Sequence, residues 1–229
     1  MKKNKVVAIF MTLLVICVMV GGVFVMSGRH SVAVLDPMGL LKEGNERFVE
    51  MKLTHPNQSA ARREAVASGG QKPFATVLAC SDSRVPVELI FDRGIGDIFV
   101  IRVAGNVAMN PDVIGSAEYA VEHLDTPLIV VLGHTECGAV KAVISEHPLE
   151  GSLRAIQMQI EPVAVQVKKE YPDMKGDELT TAVVKANVLQ VKQNLLASSH
   201  EIESLVAEGK LSIATAVYDI RTGMVEWMD

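Results

Sequence analysis

Basic runs and aromatic residues are scarce in this sequence of 229 residues. Aromatic side chains make up 4% of the chain, with a single Trp, and the formal net charge is -5. The first 33 residues contain four basic residues and no acidic ones, so the rest of the chain has 18 basic against 27 acidic residues, a net charge of -9. An acidic surface without a basic run does not favour a nucleic-acid partner.

Internal repeats and low-complexity segments are also missing, and the content of 49% hydrophobic and 21% charged residues is typical of one globular domain.

The N-terminus is a separate segment. Lys2, Lys3 and Lys5 precede an uncharged apolar run over residues 6–26. This pattern predicts export of the chain to the periplasm or another extracytoplasmic compartment. The run is long enough to span a bilayer, so residues 1–33 are a cleaved signal peptide or a membrane anchor, and residues 34–229 are the domain.

The apolar pattern of the domain predicts an α/β fold with a mostly parallel central sheet flanked by helices. Short runs that are apolar on both faces, typical of buried parallel strands, occupy residues 74–79, 98–103 and 128–132. A late strand over 211–220 and a hairpin return over 224–227 follow. Helices are predicted over 37–51, 60–68, 86–92, 116–124, 153–170 and 180–198, and Pro162 is expected to kink the fifth or to begin a new helix there.

Two clusters of reactive side chains begin where predicted strands end. Cys80, Asp82 and Arg84 follow the first strand, and His134 and Cys137 follow the third. In open α/β sheets the ligand sites lie at the carboxyl ends of the strands. Two thiolates and one imidazole are zinc ligands of suitable softness, and they leave the fourth tetrahedral position open.

Each feature also has a simpler interpretation. Cys17 lies in the apolar run, so Cys80 and Cys137 are the only cysteines of the exported part, and a disulfide between them is the main rival in an oxidising compartment. Asp82 and Arg84 could form an ordinary surface ion pair. Neither interpretation explains why all these residues gather at strand ends, and the metal site is therefore favoured.

The motifs Ala-Cys-Ser-Asp-Ser-Arg-Val at 79–85 and Gly-His-x-x-Cys-Gly at 133–138 resemble those of the beta-carbonic anhydrase family. The resemblance implies that Cys80, His134 and Cys137 bind one zinc ion per subunit. It also implies that Asp82, paired with Arg84, either accepts a hydrogen bond from zinc-bound water or occupies the fourth zinc position itself.

Further positions are similar to the plant-like subgroup of that family. Gln71, Phe99, Tyr119 and Gly138 stand where the subgroup places its carbon dioxide pocket. In the family the glutamine, phenylalanine and tyrosine reach the zinc from the neighbouring subunit, which implies a homodimer or a larger homo-oligomer.

The expected activity is the reversible hydration of carbon dioxide to bicarbonate and a proton by zinc-bound hydroxide. Two alternatives remain open at this point. One is hydrolysis of carbonyl sulfide or carbon disulfide at the same zinc site, and the other is a zinc or redox binding module without catalysis.

Overall fold

The central feature of the fold is a five-stranded sheet, seen in a computed structural model that describes residues 36–145 and 147–228. The strands are β1 (Ala75–Ala79), β2 (Ile98–Arg102), β3 (Leu128–His134), β4 (Ser212–Tyr218) and β5 (Val225–Trp227). Their order is β2-β1-β3-β4-β5, with the first four parallel and β5 antiparallel to β4. The prediction of a mostly parallel sheet with a late strand and hairpin is confirmed.

Eight α-helices and one 3₁₀ turn surround the sheet in the described part of the chain. They are α1 (Pro37–Val49), α2 (Ala60–Gly69), α3 (Val87–Ile90), the 3₁₀ turn Ala104–Asn106, α4 (Pro111–Glu122), α5 (Gly138–Ile144), α6 (Leu153–Glu170), α7 (Gly176–Ser198) and α8 (His200–Ala207). Helix α6 runs through Pro162 without a new helix beginning there. Pro162 is exposed, so water can reach the backbone where the proline supplies no N–H.

The alternation of side chains along the strands divides the core between the two faces of the sheet. Ile129 and Val131 of β3 belong to a hydrophobic cluster with α4, α6, α7 and α8, whereas Val130 and Leu132 pack with α1 and α3. Because both faces are covered, β3 is buried along its whole length.

The carboxyl ends of β1 and β3 lie side by side, since the two strands are parallel neighbours with Ala79 opposite Leu132. Gly133 allows α7 to lie close over the end of β3, because a Cβ atom there would stand 2.6 Å from Val188 Cγ2. The loops that follow β1 and β3 therefore meet at one edge of the sheet.

The predicted export segment, residues 1–33, lies outside the described residues. Within residues 36–145 and 147–228, no helix combines the length and apolarity needed to cross a membrane.

Candidate metal centre

Three potential metal ligands converge at the carboxyl edge of the sheet. Cys80 directly follows β1, His134 is the last residue of β3, and Cys137 ends the short turn before α5. Their ligand atoms all lie within 4.8 Å of one another, and all three side chains are buried. The structure thus brings together the residues that the two sequence motifs predict as ligands.

The imidazole of His134 is oriented for metal binding. Its Nδ1 lies 2.9 Å from the carbonyl oxygen of Thr135, which fixes Nδ1 as the protonated nitrogen. Its Nε2 is buried and has no hydrogen-bond partner. A buried polar atom without a partner is costly, and a metal ion shared with the two nearby thiols would satisfy it.

The thiols of Cys80 and Cys137 are both free, so the rival disulfide is not formed in this structure. The pKa of Cys80 is lowered to about 4, chiefly because the Cys137 thiol donates a hydrogen bond to it, while burial acts in the opposite direction. The pKa of Cys137 is raised, because it holds the proton shared with Cys80 and is itself buried. Two adjacent thiols, one of them with a lowered pKa, fit the thiolate ligands that a divalent cation such as zinc binds.

Asp82 and Arg84 form a bidentate ion pair beside the three ligands. Arg84 donates from Nε to Asp82 Oδ1 at 2.9 Å and from a terminal nitrogen to Oδ2 at 2.8 Å. These bonds hold the pKa of Asp82 well below its usual range. Asp82 Oδ2 also lies 3.9 Å from His134 Nε2, so the carboxylate faces the ligand cluster.

Arg84 also joins the two loops of the site, because it donates to the carbonyl oxygen of Glu136 at 3.2 Å. Glu136 has a φ of 58°, a left-handed conformation that is uncommon outside glycine, and its carboxylate pairs with Arg221. The turn before Cys137 is therefore held by two arginines, Arg84 at the Glu136 carbonyl oxygen and Arg221 at the Glu136 carboxylate.

Sequence reasoning did not find the contribution of Arg102, the last residue of β2. Its guanidinium donates to the carbonyl oxygen of Cys80 at 3.0 Å and to that of Asp82 at 2.6 Å. It thereby fixes the backbone of the loop that carries both residues. The only signal in the sequence is an arginine at a strand end, which does not reveal its partners.

The four predicted substrate-pocket residues lie in different places. Gly138 begins α5 next to Cys137, and a Cβ atom there would meet nothing within 4 Å. Phe99 and Tyr119 contact each other with ring centroids 6.1 Å apart. Gln71 is exposed before the amino end of β1, so the whole strand, at about 3.3 Å per residue, separates it from Cys80 of the same chain. Of the four, Gly138 is the one that directly follows a potential metal ligand in the chain.

A mostly parallel sheet with a buried Cys-His-Cys cluster that could hold a metal ion at its carboxyl edge defines an α/β protein with a candidate metal centre, and comparisons with known proteins identify its family. The sequence profile of the family described as "Carbonic anhydrase" matches residues 75–225. The chain is 42% identical over 186 residues to "Carbonic anhydrase 2" of Mycobacterium tuberculosis, which covers 80% of this chain and 87% of that protein.

Solved structures agree with the sequence match. The beta-carbonic anhydrase CcaA superposes with a TM-score of 0.68 and 32% identity over 85% of this chain and 96% of that one. One of two tetrameric beta-carbonic anhydrases from Sordaria macrospora superposes with a TM-score of 0.69 and 25% identity, covering 81% and 93% of the two chains. The chain belongs to the beta-carbonic anhydrase family and is a carbonic anhydrase.

Proposed function

We propose that this chain catalyses the reversible hydration of carbon dioxide to bicarbonate and a proton at one zinc ion per subunit, held by Cys80, His134 and Cys137. The observation that carries the proposal is the buried, unpartnered Nε2 of His134 beside two free thiols, in a chain of this family. Bound zinc would supply the Lewis acidity that makes hydroxide available near neutral pH.

The protein's part in the reaction is to orient the reactants. Asp82 accepts a hydrogen bond from the attacking oxygen and thereby directs that oxygen's remaining lone pair at the substrate. Arg84 keeps Asp82 ionised and fixes its direction through two parallel hydrogen bonds. Asp82 Oδ2 therefore stands ready as a hydrogen-bond acceptor at neutral pH, without having to reorganise during the reaction.

Gly138 leaves open space beside Cys137, which suits a small linear substrate. Gln71, Phe99 and Tyr119 complete the pocket of the neighbouring subunit, with the Gln71 amide donating to a substrate oxygen. The exposure of Gln71 and Tyr119, and the length of β1 between Gln71 and Cys80, support a role in another subunit's site. The working enzyme is therefore a homodimer or a larger homo-oligomer, and the Sordaria macrospora relative, which is tetrameric, gives a precedent for such assembly.

Residues 1–33 direct the chain out of the cytoplasm, as a cleaved signal or a membrane anchor. The support for this is the run of 21 uncharged residues after three lysines. Fractionation of cells into cytoplasm, membrane and extracytoplasmic contents, with mass measurement of the mature N-terminus, tests both parts. A full-length chain in the cytoplasm would contradict export.

Metal analysis combined with a stopped-flow assay of carbon dioxide hydration tests the activity. The purified protein is expected to contain one zinc ion per chain, to lose hydration activity on chelation, and to regain it when zinc is returned. Cys137→Ser should lose both zinc and activity, whereas the control His200→Ala, at an exposed histidine of α8, should keep both. A zinc-loaded protein without hydration activity would contradict the proposal, and carbonyl sulfide supplied in a parallel assay would show whether it is consumed instead.

A further inference from the structure

The 3₁₀ turn Ala104–Asn106 lies directly behind the first metal ligand. Gly105, at its centre, has φ 69° and ψ 12°, a left-handed conformation suited to glycine. Its backbone N–H donates a buried hydrogen bond to Cys80 Sγ at 3.3 Å. This bond adds to the one that Cys80 accepts from the Cys137 thiol, and the conformation of the turn decides whether Gly105 supplies it.

A residue far away in the sequence holds this turn in place. Asn187 of α7 donates from Nδ2 to the carbonyl oxygen of Gly105 at 3.0 Å, and its side chain is 2% exposed. The turn is also enclosed by apolar side chains, since a Cβ atom on Gly105 would stand 2.8 Å from Ile160 Cδ1. Asn187 is thus the polar side chain that bonds to Gly105, and α7 is the element that positions it.

We propose that Asn187 is a positioning residue of the metal centre, which aims the Gly105 N–H at Cys80 Sγ and thereby sets how tightly zinc is held. This inference rests on the binding of zinc by Cys80 in the proposed function. A hydrogen bond to a coordinating thiolate draws charge away from the sulfur and fixes the direction of its lone pairs. Partners of this kind change metal affinity by about 10- to 100-fold when they are removed.

The test compares the full-length wild type with Asn187→Ala and Asn187→Leu, the second of which nearly preserves side-chain volume. The zinc dissociation constant is measured by competition with a chromophoric chelator, and the thiolate-to-metal charge-transfer band is recorded after substitution with Co²⁺. We expect both variants to bind zinc about 10- to 100-fold more weakly and to shift the Co²⁺ band.

Asn45→Ala is the matched control. Asn45 is also a buried asparagine, which donates to the carbonyl oxygen of Gly223 at 2.9 Å and accepts from Val225 N–H at 2.9 Å, away from the metal loops. It should lower stability without changing zinc affinity. Zinc affinity within about twofold of wild type in the Asn187 variants, or an equal loss in Asn45→Ala, would overturn the proposal. If the wild type bound no zinc, the proposed function itself would fail.

A measurement on the wild type alone covers the case in which the Asn187 variants do not fold. In ¹¹³Cd-loaded protein, the Gly105 amide proton should show scalar coupling to the metal through the hydrogen bond to Cys80 Sγ. A coupled amide supports the proposal. An uncoupled, rapidly exchanging Gly105 amide contradicts it.

Discussion

Asp82 lies beside the proposed metal ligands, and its ion pair with Arg84 holds its pKa well below its usual range. Asn at this position would keep the shape of the side chain, lose the charge and turn one acceptor into a donor. We therefore expect Asp82→Asn to retain zinc and to lose about 10²-fold or more in kcat for hydration. Stopped-flow kinetics on samples of measured zinc content check this result.

Asp177→Asn is a matched control for that substitution. Asp177 also forms an ion pair, at 2.9 Å with Lys141, but both side chains are exposed. Exposed ion pairs contribute little to stability, so this variant should keep its activity and nearly all of its stability. Near-normal turnover in Asp82→Asn would remove Asp82 from the mechanism.

At the residue scale, the sequence predicted the candidate ligands better than the residues that hold the surrounding backbone in place. The convergence of Cys80, His134 and Cys137 could be predicted because residue types that bind metals have few chemical substitutes, and these three follow strand ends. Arg102 and Asn187 could not, because their roles depend on contacts with backbone atoms 20 to 82 residues away. Arginine and asparagine occur in too many settings for the residue type alone to indicate such contacts.

At the scale of elements, the contact between α1 and the end of α3 depends on one glycine. A Cβ atom on Gly44 would stand 1.8 Å from the carbonyl oxygen of Phe91, a backbone atom that cannot turn aside. Gly44→Ala should therefore destabilise the fold by about 1–3 kcal/mol or more, despite the better helix propensity of alanine. Urea unfolding of the zinc-loaded protein at a fixed concentration measures the change.

Gly115 in α4 offers the same substitution without the contact, since a Cβ atom there would meet nothing within 4 Å. Alanine should stabilise this helix by about 0.5–1 kcal/mol. If Gly44→Ala lowers the free energy of unfolding and Gly115→Ala raises it, the close packing of α1 against Phe91 explains the loss at Gly44. Stabilisation at both positions would mean that α1 does not approach Phe91 as closely as the structure has it.

The sequence predicted the strands more completely than the short helices. The strands β1, β2 and β3 are recognisable because both of their faces are apolar, and the error in their bounds is one or two residues. Helices α5 and α8, of seven and eight residues, were not predicted. Such short segments show too few turns of periodicity, and packing against neighbouring helices rather than local propensity stabilises them.

For the whole molecule, the charge of the metal site predicts the pH dependence of turnover. Two thiolates cancel the formal charge of Zn²⁺, whereas three neutral imidazoles leave it in place and ionise water near pH 7. The present site should therefore ionise water less readily, and hydration turnover should rise as the pH increases above neutral. Stopped-flow measurements with zinc content determined at each pH test this, and a flat profile from pH 6 to 9 would contradict it.

Assembly is the other property of the whole molecule on which the proposed site depends, since β1 separates Gln71 from Cys80 of the same chain. If Gln71 and Tyr119 act on the neighbouring subunit, chains carrying Cys80→Ser and chains carrying both Gln71→Ala and Tyr119→Ala should complement each other. A mixed dimer of these chains has one site with every residue intact, so random pairing should restore about a quarter of the wild-type sites. Hydration rates and zinc content of the co-expressed protein measure the restoration.

The control for complementation is co-expression of Cys80→Ser with Cys137→Ser. Neither chain then has a complete set of ligands, so no mixed dimer contains a working site, and hydration should stay at background. Each parent variant expressed alone sets the baseline. If the first pair restored no more activity than the second, although mixed dimers had been shown to form by mass spectrometry, Gln71 and Tyr119 would not serve the site of another subunit.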